Sequence, residues 1–296
     1  MRPEETLRQD ERAGGGAEAN LCKVPVFRPV AAKLLRVLND GDTCILEVSE
    51  LLKSDPGLSA EVLTMANSAA FGSSRRIHTV ARAIVMLGTE RTKGLATRAA
   101  LQGMMRNIHN PAIENCWIHS RAAAVIGEWL APYYRIHPDR AYTSSLMHDI
   151  GRLGLLSVDR GQYARLLTST SGTNEDILEA ERLLLKVNHC DAGLWLTKTW
   201  GLPEEFWHVS SRHHIPKEST GDAHIELVRL ACAFAQALGY KAAPLVANET
   251  LEELMSEIPN LASPQSGRAI HTLSDRLQEE LGLSPQIPLV EDLPVN

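Results

Sequence analysis

Ser145-Leu146-Met147-His148-Asp149-Ile150-Gly151-Arg152 is the stretch on which the reading of this chain turns. It sets an imidazole beside a carboxylate, and both ligand types suit divalent transition metals. Further histidines flank it at the distance of whole helices. His119 falls one expected helix earlier, while His189 and the pair His213-His214 fall on two later ones. Whether such a set binds metal, or only keeps the shape of a site that did, decides what the protein does.

Outward from that stretch the pattern is helical. Apolar residues recur with helical spacing from about Pro29 to Gly239, and no segment alternates long enough to read as a strand. Asp55-Pro56 reads as an N-cap followed by proline at the first helical position, opening a helix through Leu58, Val62, Leu63, Met65 and Ala66. Thr79 and Thr89 read as N-caps of the next two helices, with Gly88 closing Val80 to Leu87. Later helices are expected at Ala112–Leu130, Pro138–Met147, Arg160–Ser169, Asn174–Lys186, Cys190–Thr199, Pro203–Arg212 and Ala223–Leu238. The fold class is all-α, a multi-helix bundle in two lobes.

The first lobe runs from about residue 21 to 108, and the second, from about 110 to 216, holds the His/Asp set. Asn107-Ile108-His109-Asn110-Pro111 separates them, since proline biases its predecessor away from helix. Residues 217–240 supply a closing helix for the second lobe. Beyond them lies a loop-rich extension, 241–296, with one helix, Gly267 to Leu281, and a proline-rich tail from Ser284. Ile270, Leu273, Leu277 and Leu281 form one stripe on that helix, which suits docking on the main body.

Composition narrows the function classes. The 296 residues are 44% hydrophobic and 22% charged, ordinary values for a globular protein. A net charge of −6 argues against a dedicated nucleic-acid binder, which needs a basic footprint to neutralise phosphates. Arg75, Arg76, Arg82, Arg91, Lys93 and Arg98 do cluster, and read as a solvated helical face. No apolar run approaches the ~20 residues of a membrane-spanning helix, so no membrane partner is expected. Met1 to Asn20 is a polar, flexible segment without the apolar region of a signal peptide. The five cysteines, Cys22, Cys44, Cys116, Cys190 and Cys232, show no CxxC spacing and suit free thiols in the cytoplasm.

Two runs carry a family resemblance. Ser54-Asp55-Pro56-Gly57-Leu58 leads through Leu63-Thr64-Met65-Ala66-Asn67-Ser68-Ala69-Ala70-Phe71 to Ile77-His78-Thr79-Val80-Ala81-Arg82-Ala83-Ile84-Val85-Met86-Leu87-Gly88. Then come Trp117-Ile118-His119-Ser120, Met147-His148-Asp149-Ile150-Gly151, His189-Cys190-Asp191-Ala192-Gly193, Trp200-Gly201-Leu202-Pro203 and His213-His214. This succession, roughly Leu21 to Pro216, resembles the HDOD domain, a bacterial signalling module related to HD and HD-GYP phosphohydrolases. The resemblance implies a helical regulatory domain, usually without demonstrated catalysis.

In the HD enzymes, the resemblance implies, His119, His148, Asp149, His189 and His213 or His214 would converge on one or two metal ions. A closing Asp is expected near residues 227–233, where this chain has Cys232. A thiolate suits zinc but does not replace a carboxylate on magnesium or manganese. Arg152 stands where HD-GYP enzymes commonly carry lysine. Arginine can clamp a phosphate but is a poor proton donor. The Gly-Tyr-Pro signature is absent. The site therefore reads as vestigial or weak, with no cofactor required and iron, manganese or zinc as the candidate ions.

No GxxxxGK[ST], GxGxxG or GxSxG motif appears. Trp117, Trp129, Trp195, Trp200 and Trp207 read as packing anchors, and Asn67 and Ser68 as local caps. Arg212 beside His213-His214 offers an anion site or simply a surface helix end. The expectation is a non-catalytic regulatory module whose lobes meet at a groove and which binds a signalling protein or a small nucleotide. The alternatives are an HD-type metal-dependent phosphodiesterase, with Arg152 as phosphate clamp, and a DNA-binding regulator using Arg75–Arg98.

Overall fold

The computed structural model describes residues 21–22, 24, 29–39, 44–68, 77–105, 110–159, 161–169, 172–216, 221–244, 249–261 and 266–282. The expectations for Met1 to Asn20, for Arg75 and Arg76, for the Asn107-Ile108-His109 break and for the tail from Ser284 lie outside them. Among the described residues the chain is helical with no strand. Five helices come first: α1 (Pro29–Asn39), α2 (Ile45–Lys53), α3 (Pro56–Ala66), α4 (Val80–Leu87) and α5 (Thr89–Met105). Then follow α6 (Pro111–Tyr134), α7 (Pro138–Met147), α8 (Ile150–Val158), α9 (Gln162–Ser169), α10 (Asn174–Leu185), α11 (His189–Thr199), α12 (Glu204–Arg212) and α13 (Ala223–Ala237). Two more, α14 (Leu251–Glu257) and α15 (Ser266–Leu281), lie in the C-terminal extension.

Local chemistry sets the boundaries. The Asp55 carboxylate accepts from the amides of Gly57 and Leu58 at 3.0 and 3.2 Å, giving two first-turn donors of α3 a partner. Asn110 does the same for α6, accepting from Ala112 N at 2.9 Å, with Pro111 at the first position. Thr89 is not a cap: it is the first residue of α5, because a single residue, Gly88, separates α4 from α5. Gly88 sits at φ 80°, which favours glycine, and its carbonyl accepts from both Thr92 N and Thr92 Oγ1. Asn67 reaches further than a local cap. Its amide donates to Leu63 O and Ile77 O, and its oxygen accepts from Ile77 N at 2.8 Å.

The extension contains a second helix beyond the one expected. α14 opens on a capping box in which Thr250 and Glu253 satisfy each other's backbone amides. α15 docks on α6 and buries Ile270, Leu273 and Leu277.

α6 is the central element, packed between α7 and α13. α5 lies against both α1 and α7, and the buried apolar side chains form one continuous cluster from α1 to α15. Trp129 and Trp200 are buried in it, while Trp117 and Trp195 pack on its rim. Lys198 Nζ lies 5.4 Å from the centre of the Trp207 ring. No helix is long and apolar enough to cross a membrane among the described residues.

The basic run is largely engaged by acids. Arg91 pairs with Glu128 at 3.3 Å and Asp139 at 2.8 Å, Lys93 with Glu90 at 2.8 Å, and Arg98 lies 3.8 Å from Glu61. Arg91 ties α5 to α6 and α7, Arg98 faces α3, and Lys93 is matched within α5 itself.

Candidate functional site

Six helices deliver one polar cluster into the second lobe. α6 contributes His119 from its middle, and the α7–α8 junction contributes His148 and Asp149. His189 opens α11, His213 and His214 follow α12, and Cys232 comes from α13. The His-Asp pair sits in the break between two helices rather than within one. Asp149 precedes α8 without capping it, so its oxygens are available to the imidazoles. Close approach of α8 to α11 depends on Gly151, where a Cβ would lie 1.9 Å from the carbonyl oxygen of His189.

Each buried imidazole is oriented through its Nδ1. A carbonyl can only accept, so His119 Nδ1 donates to Tyr240 O at 2.7 Å, His148 to Ser145 O at 2.6 Å and His213 to Val209 O at 3.1 Å. His189 Nδ1 donates to Glu181 Oε2 at 2.7 Å. All four Nε2 atoms therefore face inward, toward Asp149 and one another. His119 Nε2 and His148 Nε2 stand 3.2 Å apart, each 3.7 Å from Asp149 Oδ2. His189 Nε2 and His213 Nε2 lie 3.5 and 3.3 Å from Asp149 Oδ1. His214 Nε2 is 3.1 Å from His189 Nε2, so both members of the His-His pair join the set. Cys232 Sγ lies 3.5 Å from His119 Nε2.

A second layer holds this one in place. Arg152 donates from Nε to Asp149 Oδ2 at 3.0 Å and from Nη1 to Glu181 Oε1 at 3.3 Å. Glu181 also accepts from Tyr163 Oη at 2.8 Å and from His189 N at 2.8 Å. Burial opposes ionisation of both acids, but the charge partners prevail. His189 and Arg152 hold the Glu181 carboxyl down at about 2, and Arg152 holds Asp149 well below the usual carboxylate range. Burial also pushes His119, His148 and His189 down, which favours the neutral ligand form. The set is sealed: His119, His148, Asp149, Arg152, His189 and His213 are each 1% exposed.

The sequence-predicted residues thus come together, with one correction. Arg152 is not placed as a phosphate clamp, because its guanidinium is buried and spent on Asp149 and Glu181. The His213-His214 turn follows the C-terminus of α12, the helix-end alternative. Sequence reading missed Glu181, Tyr163 and the Tyr240 carbonyl. Glu181 stands four residues after Ile177 on the same buried face of α10, a place its charge hides in the sequence.

The donor set fits a divalent metal. Facing Nε2 atoms, outer hydrogen bonds on every buried ring, and the unpartnered buried atoms Asp149 Oδ1 and His213 Nε2 are what a ligand shell presents.

Comparison with known proteins places the chain in a family. A solved HDOD domain protein of unknown function from Geobacter sulfurreducens has a TM-score of 0.65 and 23% identity, covering 93% of this chain and 90% of its own. A candidate phosphohydrolase from Shewanella amazonensis SB2B also has a TM-score of 0.65, with 22% identity over 90% of this chain and 98% of its own. An uncharacterized protein of Treponema pallidum (strain Nichols) is 21% identical over 196 residues, 64% of this chain. The chain spans only 37% of the length of that curated relative. The family model for the HDOD domain matches residues 24–216, a span that holds every histidine of the cluster and ends before Cys232. With the helical fold and the matched span in agreement, the chain belongs to the HDOD domain family.

Proposed function

We propose that this protein is a non-catalytic module of bacterial signal transduction that acts by binding a protein partner. One observation carries the reading: the atoms that would do chemistry are sealed in the core, with the Arg152 guanidinium beside them already bound to two carboxylates. A phosphodiester would have to reach Asp149, which is 1% exposed. A protein is favoured over a small nucleotide by the junction between the lobes. The cavity there, lined by Met65, Leu95, Arg98, Asp139 and Tyr142, holds about 30 Å³, whereas small-molecule sites run to roughly 300–1,000 Å³. The partner would then act on the α5–α7 contact and bias the lobe arrangement. The exposed free thiols of Cys22 and Cys44 support a cytoplasmic setting.

The test is a chromogenic phosphodiester assay on protein purified without chelator, with manganese or iron supplied. The expected result is no turnover. Metal-dependent turnover that disappears in His148→Ala and Asp149→Ala would overturn the reading.

The convergent imidazoles favour a second reading, an HD-type phosphohydrolase. His119, His148, Asp149, His189, His213 and His214 would hold the ions, which supply an activated water and a polarised phosphoryl oxygen when bound. The DNA-binding reading has less support, since Arg91, Lys93 and Arg98 already face acids. Failure to retain duplex DNA at low salt would remove it.

A further inference from the structure

α15 reaches the junction between the lobes. It lies outside residues 24–216, the span matched to the family, and rests on α6 through Ile270, Leu273 and Leu277, each at most 4% exposed. Its last turn extends past that seat. Glu280 lines the cavity at the α5–α7 contact together with Leu95, Glu128 and Tyr142. We propose that α15 is a regulatory latch: seated on α6 it holds Glu128 toward Arg91 of the first lobe, and unseated it loosens the junction. Its regulatory role rests on the reading that a partner acts on the α5–α7 contact.

Glu128 is the link. Its two oxygens serve cations from two different helices. Oε1 accepts from Arg91 Nη1 at 3.3 Å, and Oε2 accepts from Arg276 Nη2 at 2.6 Å. A carboxylate held at one oxygen has the other fixed in direction, so the shorter bond to α15 orients the longer one to α5. Arg91 keeps a second partner, Asp139 of α7 at 2.8 Å, so losing α15 relaxes the junction without dissolving it. Arg121 of α6 donates from Nη2 to the Glu280 carbonyl, which places the end of α15 at the cavity wall.

The seat is also built to open. Ser274 shares the buried face of α15 with Ile270 and Leu277, and its hydroxyl has no hydrogen-bond partner among the described residues. Burying an unpaired hydroxyl opposes docking. The opposite face, with His271, Asp275, Gln278 and Glu279, is exposed, so only one stripe needs new solvation when the helix leaves. Three large apolar side chains and the Arg276 and Arg121 contacts are little beside the continuous core that holds the other helices. Segments held in this way open below the free energy of global unfolding.

Amide hydrogen exchange on the full chain reads the coupling. Leu277→Asp puts a charge into the seat and should expose the α15 amides. Exchange in α5 at Leu95 to Arg98 should then rise by about fivefold or more, the lower end of coupling between sites. Amides of α8 and α11 should keep their protection. Arg276→Gln should speed α5 while the α15 amides, still seated by Leu273 and Leu277, change little. Ser274→Ala removes the unpaired hydroxyl and should slow exchange in both α15 and α5. In an Arg91→Gln background, Arg276→Gln should no longer alter α5, an outcome that plain packing would not give. Unchanged α5 exchange in Leu277→Asp and Arg276→Gln overturns the latch, as does acceleration shared equally by α8 and α11; the non-catalytic reading then stands. Metal-dependent phosphodiester turnover by the parent would instead overturn that reading and leave the measured α15–α5 coupling intact.

Discussion

The helices before Pro111 and those after it spend their polar groups differently. In α1–α5 the core is carried by side chains such as Leu34, Leu35, Leu52, Leu58 and Ile84, all fully buried. The polar anchors there act locally: Asp55 closes the start of α3, and Asn67 ties the end of α3 to Ile77. In the second region the polar groups are the core. Arg152, Glu181, Asp149 and the imidazoles link α6, α8, α10 and α11 in one network, and each member is satisfied only because the others are present. A local anchor should therefore fail locally, whereas the network should fail as a whole.

The sharpest way to break that contrast is Arg152→Met. It leaves Asp149 and Glu181 buried without their cation, and removing one partner of a buried pair costs about 3–5 kcal/mol. Urea unfolding of the variant should show that loss. Adding Asp149→Asn and Glu181→Gln should recover much of it, a coupling that independent sites would not show. Should Arg152→Met prove as stable as the parent, the cluster is not the cooperative unit described here.

Gly151→Ala comes next. A Cβ there meets the His189 carbonyl at 1.9 Å and Gly193 N at 2.8 Å, both backbone atoms that cannot swing aside. Overpacking costs about 1–3 kcal/mol, and contact with backbone puts this case at the upper end. A thermal melt gives the cost. Because the displaced residue is His189, the variant should lose stability through the cluster as well as through packing. Melting unchanged from the parent would mean that α8 and α11 are less closely packed than the structure shows.

How much of this the sequence shows follows from the range of each interaction. Pro138 and Asp55-Pro56 fix helix starts by local covalent and capping rules, and the helix Pro138–Met147 has the expected limits at both ends. The histidines were legible because imidazole beside carboxylate is a distinctive chemical signal. Glu181 was not, since one acid among Glu175, Asp176 and Glu179 on a charged helix reads as solvated surface. Its neighbours mislead too: Leu183 is exposed while Glu181 is fully buried, the reverse of what hydropathy suggests. Arg152 misled for a related reason. Its charge pointed to a ligand, and only the fold shows Asp149 and Glu181 converging on it. The carbonyl of Tyr240, 121 residues from His119, leaves no mark in the side-chain sequence at all.

On the other side of the contrast, Asn67→Ala removes the bonds to Leu63 O, Ile77 O and Ile77 N. The site is partly buried, and losing such partners costs on the order of 1–2 kcal/mol. Hydrogen exchange should speed up at the Ile77 amide while amides of α8 and α11 keep their protection. Loss of protection in α8 and α11 would show that the two regions unfold together.

Asp55→Ala carries the smallest expected effect and tests the contrast from its local end. The carboxylate serves two amides of the first turn of α3, and replacing such a cap by alanine costs about 1 kcal/mol. Pro56 stays in place and still presets the first turn, so α3 should persist with a frayed start. Exchange should quicken at the Leu58 amide, whose partner is lost, and remain slow at the Arg152 amide, which bonds to Asp149 O at 3.0 Å. Asp55→Asn keeps an acceptor oxygen and should stay within a few tenths of a kcal/mol of the parent. The ratio between this loss and that of Arg152→Met then measures how far a buried network exceeds a local cap. A ratio near one would mean that both regions answer to the same global unfolding and that the cluster has no cooperativity of its own.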